Sequence, residues 1–233
     1  MQPQNSVSCK QCPFQSPDQT CFFHDFTAEL VPFQFESGAI IFSEKKSLNG
    51  IYCIQEGLCQ IGKNCSNGRN QIIEILPSGT LLGIRSILCE DRTNLMAKAI
   101  LPVRGRYLPK KIFFDLMNAN PVFSLRVTMA LASYLKRSDN KIVSFGQKTM
   151  YQRVAEIVLE LPQYFKPDSN GYIELKLTRE DMANLAGIAT ESLIRILSCY
   201  KQKKWIALAG KRLKIEQPYR LQQLAQGHVL QVD

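Results

Sequence analysis

Histidine is almost absent from this chain of 233 residues, which contains only His24 and His228. Histidine is the commonest general base and a frequent metal ligand, so this scarcity removes much of the usual chemistry of active sites. The sequence also contains no phosphate-binding loop, no nucleophile–base pair and no paired carboxylates at a meaningful spacing. We therefore expect no catalytic residues and no enzyme activity.

Long apolar runs are missing as well. No stretch approaches the roughly 18 consecutive apolar residues of a membrane span. The first six residues, Met1–Ser6, lack both the basic and the apolar part of a signal peptide. These absences predict a cytoplasmic protein with no membrane partner.

Acidic residues are in the minority. The chain has 29 Lys and Arg against 20 Asp and Glu, a formal net charge of +9. From Lys148 onward there are 13 basic and 9 acidic residues, so the excess is spread along the chain rather than concentrated in this part. A basic balance fits a nucleic acid partner but does not require one.

Eight cysteines in a cytosolic chain argue against a disulfide framework. Cys9 and Cys12 are separated by two residues, as are Cys21 and His24. Two such pairs can converge on one ion, and three thiolates with one imidazole form a complete tetrahedral set of zinc ligands. The same cysteines suit an iron–sulfur cluster. A packing role, or no role, for this N-terminal arm is an equally open alternative.

The stretch Leu177–Leu197 predicts two short helices joined by a tight turn. Thr178 is a good N-cap with Asp181 as its capping-box partner, and Gly187 supplies the left-handed residue that ends the first helix. The exposed face of the second helix is predicted to carry Thr190, Glu191, Ser192 and Arg195. This is the helix-turn-helix pattern, whose second helix enters the DNA major groove. An ordinary helical hairpin is the alternative.

The segment that follows favours DNA binding over the ordinary hairpin. It begins with three lysines, Lys201, Lys203 and Lys204. It continues into the β-hairpin pattern Trp205–Ile215, with its turn near Gly210. A helix-turn-helix followed by a basic hairpin is a winged helix.

The part of the chain before this motif changes from β to α character. Short alternating strands with glycine turns predict a sandwich or barrel. A long helix then begins at Pro121 and ends near Gly146, which is predicted to interrupt it as a hinge. Its apolar stripe predicts a dimer interface formed by Val122, Leu125, Met129, Ala132 and Leu135. Burial between the chain's own domains is the alternative.

The predicted domains are a cysteine-containing arm (1–27), a β sensor domain (28–118), a dimerisation helix with hinge (119–147) and a winged helix (148–233).

This order resembles the Crp/Fnr family of bacterial transcription regulators along nearly the whole chain. The clearest match is Leu177–Gly187 followed by Thr190–Leu197, and four glycines match family turns: Gly38, Gly57, Gly79 and Gly83. The resemblance implies an α+β fold with an N-terminal β-roll (a double-stranded β-helix or jelly roll), a long dimerisation helix and a C-terminal winged helix-turn-helix. It implies a homodimer on a two-fold symmetric site in double-stranded DNA, with RNA polymerase as a further partner if promoters are activated.

The resemblance also implies roles for single residues. Family members read bases with a Glu and an Arg four residues apart, and Glu191 and Arg195 stand at those positions. Arg pairs with guanine and Glu accepts from cytosine. Thr190 replaces an additional Arg of the cyclic-AMP receptors and is a third candidate for reading bases. The candidates for phosphate contacts, which fix register rather than sequence, are Thr178, Ser192, Lys201, Lys203, Lys211 and Arg212.

Two departures from the family bear on the signal that the protein senses. Cyclic-nucleotide binders hold the ribose with a Glu after the Gly turn, where this chain has Ile84, and grip the phosphate with an Arg-Ser pair. This chain has Asn94 and Leu95 at that pair. Neither Ile84 nor Leu95 can make the required polar bond, so we do not expect a cyclic nucleotide as effector.

The oxygen-sensing branch of the family holds a four-iron, four-sulfur cluster on four cysteines. Cys9, Cys12 and Cys21 resemble the first three, but the fourth position falls near Arg106. A cluster would need His24, Cys89 or an external ligand instead, so a cluster and structural zinc remain alternatives. The alternative function is a redox or small-molecule β-roll module that acts through protein contacts and does not need Glu191 or Arg195.

Overall fold

The structure, a computed structural model, describes residues 29–65, 68 and 70–227. The described chain forms two compact units. The first comprises the residues up to Lys63 and Glu74–Lys136, and the second comprises Asn64–Ile73 and the residues from Arg137 onward. Strands dominate the first unit and helices the second.

The strands of the N-terminal region form two antiparallel four-stranded sheets. They are β1 (Val31–Phe35), β2 (Ile40–Phe42), β3 (Gly50–Glu56), β4 (Leu58–Asn64), β5 (Asn70–Pro77), β6 (Leu81–Leu82), β7 (Met96–Ala99) and β8 (Val103–Pro109). The strand orders are β1-β8-β3-β6 and β2-β7-β4-β5. The turn between β3 and β4 requires glycine, because Gly57 has a φ of +99° and a Cβ there would lie 2.1 Å from the carbonyl oxygen of Pro102.

Three helices accompany these sheets: α1 (Ile84–Leu88), α2 (Lys110–Ala119) and α3 (Pro121–Gln147). Alternate residues of β3 point toward them, so that Ile51 and Cys53 are buried in the same core cluster as the apolar faces of the helices. The helical members of this cluster are Ile84, Ile87, Phe113, Leu116, Phe123 and Val127. The core of the first unit is therefore a sheet face covered by helices.

The second unit contains the predicted winged helix. Its helices are α4 (Met150–Tyr164), α5 (Arg179–Ala186), α6 (Thr190–Gln202) and α7 (Pro218–Ala225). Its strands are β9 (Ile173–Glu174), β10 (Ile206–Ala209) and β11 (Arg212–Ile215), in the order β10-β11-β9. Thr149 caps α4 in a capping box with Gln152. This mixed α+β architecture confirms the predicted fold class.

Three details differ from the sequence predictions. The prediction that Gly146 interrupts α3 is wrong, because the helix continues through it to Gln147. Contacts from Ser144 and Lys148 to Glu156 hold this last turn in place. The alternating run Tyr172-Ile-Glu-Leu-Lys-Leu177 predicts a strand of six residues, but only Ile173–Glu174 forms one. Helix α1 was not predicted from the sequence. None of the helices in the described ranges is long and apolar enough to cross a membrane.

Candidate functional site

Helix α5 starts with the predicted capping box. The side-chain oxygen of Thr178 accepts the backbone N–H of Asp181 at 3.0 Å, and the Asp181 carboxylate accepts the N–H of Thr178 at 2.9 Å. The Thr178 hydroxyl itself donates to that carboxylate at 2.7 Å. Two otherwise unsatisfied donors of the helix start are thus paired. The hydroxyl proton of Thr178 is engaged as well, which weakens the case for a phosphate contact there.

The turn between α5 and α6 is built on Gly187. Its φ of +62° lies in the left-handed region, as predicted for the residue that ends α5. A Cβ at this position would lie 2.8 Å from Cε1 of Phe145. The turn is therefore restricted both by its own backbone and by an aromatic ring packed against it.

Helix α6 presents two distinct faces. Its buried face consists of Leu193, Ile196, Leu197 and Tyr200. The Tyr200 hydroxyl donates to the carbonyl oxygen of Tyr151 in α4 at 2.5 Å, and burial raises the pKa of this phenol well above its ordinary value. These contacts fix the rotation of α6 about its own axis, so they also fix which side chains face solvent.

The outward face of α6 carries the residues predicted to read bases. Glu191 and Arg195 are exposed, and Thr190 is half-buried in the first turn. Ser192, a candidate for phosphate contact, is also half-buried. Ile194 lies on this face too and is 49% exposed, a feature that the sequence analysis did not single out. Because Ile194 directly follows the buried Leu193, the sequence pattern does not distinguish it from the buried apolar stripe.

The wing is formed by β10 and β11, which pair in register from Ile206–Ile215 to Ala209–Arg212. The turn between them contains Gly210, with a φ of +61°. Arg212 donates to the Asp168 carboxylate at 3.2 Å and lies 5.0 Å from the Tyr172 ring centroid. The wing is thus tied to the turn that precedes β9.

Asp168 organises that turn. Its carboxylate accepts the backbone N–H groups of Tyr172 and Asn170, each at 2.9 Å, in addition to the Arg212 guanidinium. The bond from the Tyr172 N–H is the main reason that the Asp168 pKa lies below its ordinary value, and Asn170 and Arg212 lower it further.

The candidates for phosphate contact differ in their surroundings. Lys201 and Lys211 are exposed, as is Arg212 despite its ion pair. Lys203 is half-buried, and its amino group lies 5.7 Å from the Trp205 ring centroid. The exposed basic candidates therefore lie in the last turn of α6 and at the tip of the wing.

The predicted dimer stripe lies along α3. All five of its residues, Val122, Leu125, Met129, Ala132 and Leu135, are exposed in the described chain. By contrast, Phe123 and Val127 on the opposite side are fully buried. Helix α3 therefore has one apolar face inside the first unit and a second apolar face that no described residue covers.

Two of the three cyclic-nucleotide positions of the β-roll are buried apolar side chains. Ile84 and Leu95 are 6% and 7% exposed. Asn94 is exposed, and its side-chain oxygen accepts a hydrogen bond from Arg85 at 3.1 Å. The Arg85 guanidinium also lies 4.8 Å from the Tyr134 ring centroid. Arg85 is thus held by two neighbours, the polar side chain of Asn94 and the ring of Tyr134.

The predicted metal ligands Cys9, Cys12, Cys21 and His24 lie outside the described residues. Cys89 is exposed at the C-terminal end of α1, and Arg106 lies in β8. Within the described ranges, no three or more His, Cys, Asp or Glu side chains are grouped so that they could hold a metal ion. The described residues alone therefore supply no cluster or zinc site.

Two protein families match this chain. Residues 32–120 match the cyclic nucleotide-binding domain, and residues 152–224 match the Crp-like helix-turn-helix domain. The two matches cover the β-roll with α2, and the region from α4 to α7.

Several characterised proteins are similar over most of the chain. The CRP-like cAMP-activated global transcriptional regulator of Mycobacterium tuberculosis is 27% identical over 197 residues, which cover 84% of this chain and 88% of that protein. The nitrogen fixation regulation protein FixK of Bradyrhizobium diazoefficiens is 24% identical, with 95% of each chain covered. The fumarate and nitrate reduction regulatory protein of Escherichia coli is 24% identical, with 84% of this chain and 79% of that protein covered.

The solved structure of FixK2 from Bradyrhizobium japonicum has the same fold. Its TM-score to this chain is 0.73 at 21% identity, with 84% of this chain and 96% of that chain covered. A Crp/Fnr-family transcriptional regulator from Thermus thermophilus also has a TM-score of 0.73, at 17% identity, with 85% and 100% covered.

Proposed function

This chain belongs to the Crp/Fnr family of transcription regulators, and from that membership we propose that it binds a two-fold symmetric DNA site as a homodimer and reads bases with Glu191 and Arg195. It is a DNA-binding regulator and not an enzyme. We propose further that its signal is not a cyclic nucleotide. DNA and a second copy of the chain are its partners, and RNA polymerase joins them if promoters are activated.

One observation carries the reading of bases: Glu191 and Arg195 are both exposed, one helical turn apart, near the start of α6. Residues four apart lie on the same helix face. An Arg can bond O6 and N7 of guanine at once, and a Glu can accept from N4 of cytosine. The pair is therefore suited to G·C base pairs in each half-site. Thr190, one residue earlier, is the third candidate for reading bases.

DNA selection from a random library, followed by binding measurements at fixed salt, tests this assignment. We expect an enriched site with two inverted half-sites. Arg195→Ala should lose about 1–3 kcal/mol of discrimination at one base pair of each half-site, and Glu191→Ala should lose it at another. Arg220→Ala, which removes an exposed arginine from α7, is the matched control and should keep the full discrimination. Unchanged base preference in both α6 variants would contradict the assignment.

The uncovered apolar stripe of α3 supports the homodimer. Leu125, Met129 and Ala132 follow the alternating spacing of three and four residues that is typical of paired helices. Sedimentation equilibrium should give twice the chain mass, and Leu125→Glu should shift the protein toward the monomer. Asn118→Glu, at an exposed position of α2 outside the stripe, is the control. A monomeric wild-type protein at micromolar concentration would refute the dimer.

The buried positions of Ile84 and Leu95 support a signal other than a cyclic nucleotide. Both are apolar side chains where family binders use a carboxylate and a hydroxyl, and a buried ligand group without a partner is costly. Titration calorimetry with cyclic AMP and cyclic GMP should show no saturable binding. The similar regulator from Mycobacterium tuberculosis is named as cAMP-activated, so saturable binding here would mean that this chain shares that signal.

The N-terminal ligands Cys9, Cys12, Cys21 and His24, with Cys89, are proposed from sequence as holders of a four-iron, four-sulfur cluster or of zinc. Anaerobic purification with analysis for iron, acid-labile sulfide and zinc separates these two. Iron and sulfide that are lost in air indicate an oxygen-sensitive cluster, and zinc alone indicates a structural role. Protein that contains neither metal and still binds its site would remove both.

A further inference from the structure

We infer that Ile194 selects thymine, by packing its side chain against the 5-methyl group of a thymine next to the bases that Glu191 and Arg195 read. This inference rests on the proposed function, because it requires α6 to lie in the major groove. Ile194 would add an apolar contact with a base to the polar contacts made by Glu191 and Arg195. The observation behind it is that the Ile194 side chain is exposed.

The position of Ile194 on α6 places it beside the two charged residues. At 3.6 residues per turn it lies about 60° from Glu191 and about 100° from Arg195 around the helix axis. Along the α6 axis it lies about 4.5 Å beyond Glu191, less than one helical turn. Ile194 is therefore close enough to Glu191 to reach a base pair next to the one that Glu191 contacts.

The exposure of Ile194 is not explained by the packing of the second unit. Its neighbours Leu193, Ile196 and Leu197 are at most 2% exposed, whereas Ile194 is 49% exposed. Helix formation does not favour it either, since a β-branched residue is a weaker helix former than the Ala, Glu or Lys that suit a solvated helix face. An apolar contact outside the chain gives this side chain a role.

The chemistry of the major groove leaves one partner for such a side chain. Only thymine presents an apolar group there, its C5-methyl, while the other base edges present donors and acceptors. A cytosine amino group facing Ile194 would lose water without gaining a hydrogen bond, which costs binding energy. Ile194 would therefore favour thymine and also reject polar edges at the same step.

Replacement of single thymines by deoxyuridine in the selected site tests this directly, because it removes the 5-methyl group and leaves pairing unchanged. For the wild-type protein we expect roughly fourfold weaker binding at one thymine of each half-site, the value of one buried methyl group. Ile194→Ala should bind the thymine and uracil sites equally well, and Ile194→Val should retain part of the difference. Ile40→Ala, which truncates an isoleucine of similar exposure in β2, should behave like wild type.

The outcomes separate this inference from the proposed function. If Ile194→Ala keeps the same uracil penalty as wild type, or if no thymine shows a penalty, Ile194 is not a thymine reader. Discrimination at the G·C positions would still stand in either case. If the wild-type protein enriches no sequence at all, the proposed function fails and this inference fails with it. Circular dichroism of each variant establishes that the exposed substitutions leave the fold intact.

Discussion

Arg153 donates from Nε to the carbonyl oxygen of Ala186 over 2.8 Å, which joins α4 to the C-terminal end of α5. The same guanidinium donates to the carbonyl oxygen of Lys148, just after α3, at 2.6 Å. Lys141 of α3 donates to the neighbouring carbonyl of Leu185 at 3.1 Å. The last carbonyls of a helix have no partner within the helix, and positive charge is favourable there. The turn that leads to α6 is thus held by side chains from two other helices.

Loss of the Arg153 contacts should destabilise the second unit. We expect Arg153→Met to lower its free energy of unfolding by about 1–2 kcal/mol, because two charge-assisted hydrogen bonds disappear from a partly buried site. The one tryptophan of the chain, Trp205, is buried in this unit, so urea unfolding followed by its fluorescence measures the loss. Arg220→Met in α7 is the matched control and should change stability by less than about 0.5 kcal/mol. Equal effects of the two substitutions would show that the Arg153 bonds contribute nothing.

Gly187 and Gly210 have nearly the same backbone angle, with φ values of +62° and +61°, but different surroundings. A Cβ at Gly187 would lie 2.8 Å from Phe145, whereas a Cβ at Gly210 would have no heavy atom within 4 Å. Gly210→Ala should cost only the left-handed penalty of about 1–2 kcal/mol. Gly187→Ala should cost about 1 kcal/mol more, since the ring must also shift. Urea unfolding of both variants, followed by Trp205 fluorescence, measures the two losses.

The extra cost at Gly187 should depend on Phe145. In a Phe145→Ala background the ring is gone, so the substitution at Gly187 should cost no more than the one at Gly210. A double-mutant cycle measures this coupling. An extra cost that persists without the ring would mean that the strain arises from the backbone of the turn itself.

The features that were predictable from sequence are those that neighbouring residues determine. The capping box of Thr178 with Asp181 and the left-handed Gly187 follow from residue type and spacing within a few positions. The continuation of α3 through Gly146 was not predictable, because it depends on Glu156 of α4, which bonds Ser144 and Lys148. A local rule about glycine is overridden by contacts between helices.

Helix α6 shows the same limit of prediction from the local sequence pattern. The helical pattern predicted Glu191 and Arg195 on the exposed face, which the structure confirms. It could not mark Ile194 as exposed, because an apolar residue beside an apolar stripe has the same pattern whether it is buried or solvated. The hydrogen bonds from Arg153 to the carbonyls of Ala186 and Lys148 were not predictable either. Every residue type has a backbone carbonyl, so the sequence does not indicate which carbonyls accept these bonds.

Tyr200 links α6 to α4 through a buried hydroxyl. Tyr200→Phe should lower the free energy of unfolding by about 1 kcal/mol, because it removes one buried hydrogen bond and keeps the packing of the ring. Tyr219→Phe is the matched control: its hydroxyl is exposed and accepts a hydrogen bond from the exposed Gln223, so its loss should be smaller than about 0.5 kcal/mol. Urea unfolding distinguishes the two values. Since Tyr200 lies on the buried face, base preference should stay as in wild type, and a changed preference would show that α6 had rotated.

Asp168 should make the stability of the second unit depend on pH in the acid range. Its pKa in the folded chain lies below the ordinary 3.8, first because the Tyr172 N–H bonds its carboxylate and also because of Asn170 and Arg212. A lowered carboxyl pKa contributes stability that is fully present above the unfolded value and is lost as the pH falls through the folded value. The contribution should therefore be intact above about pH 5 and should decline below about pH 4.

Asp168→Asn removes the titrating charge but keeps an oxygen that can accept the turn hydrogen bonds. At pH 6 the variant should be less stable than wild type, and the difference should shrink as the pH falls from 4 to 3, because the wild-type carboxyl then becomes neutral as well. Urea unfolding at several pH values, read by Trp205 fluorescence, measures this difference in the unit that contains Asp168. Asp139→Asn, an exposed position on α3 in the same unit, controls for the general loss of negative charge. A difference that stays constant between pH 6 and pH 3 would mean that the bonds to Asp168 act through turn geometry alone and not through its charge.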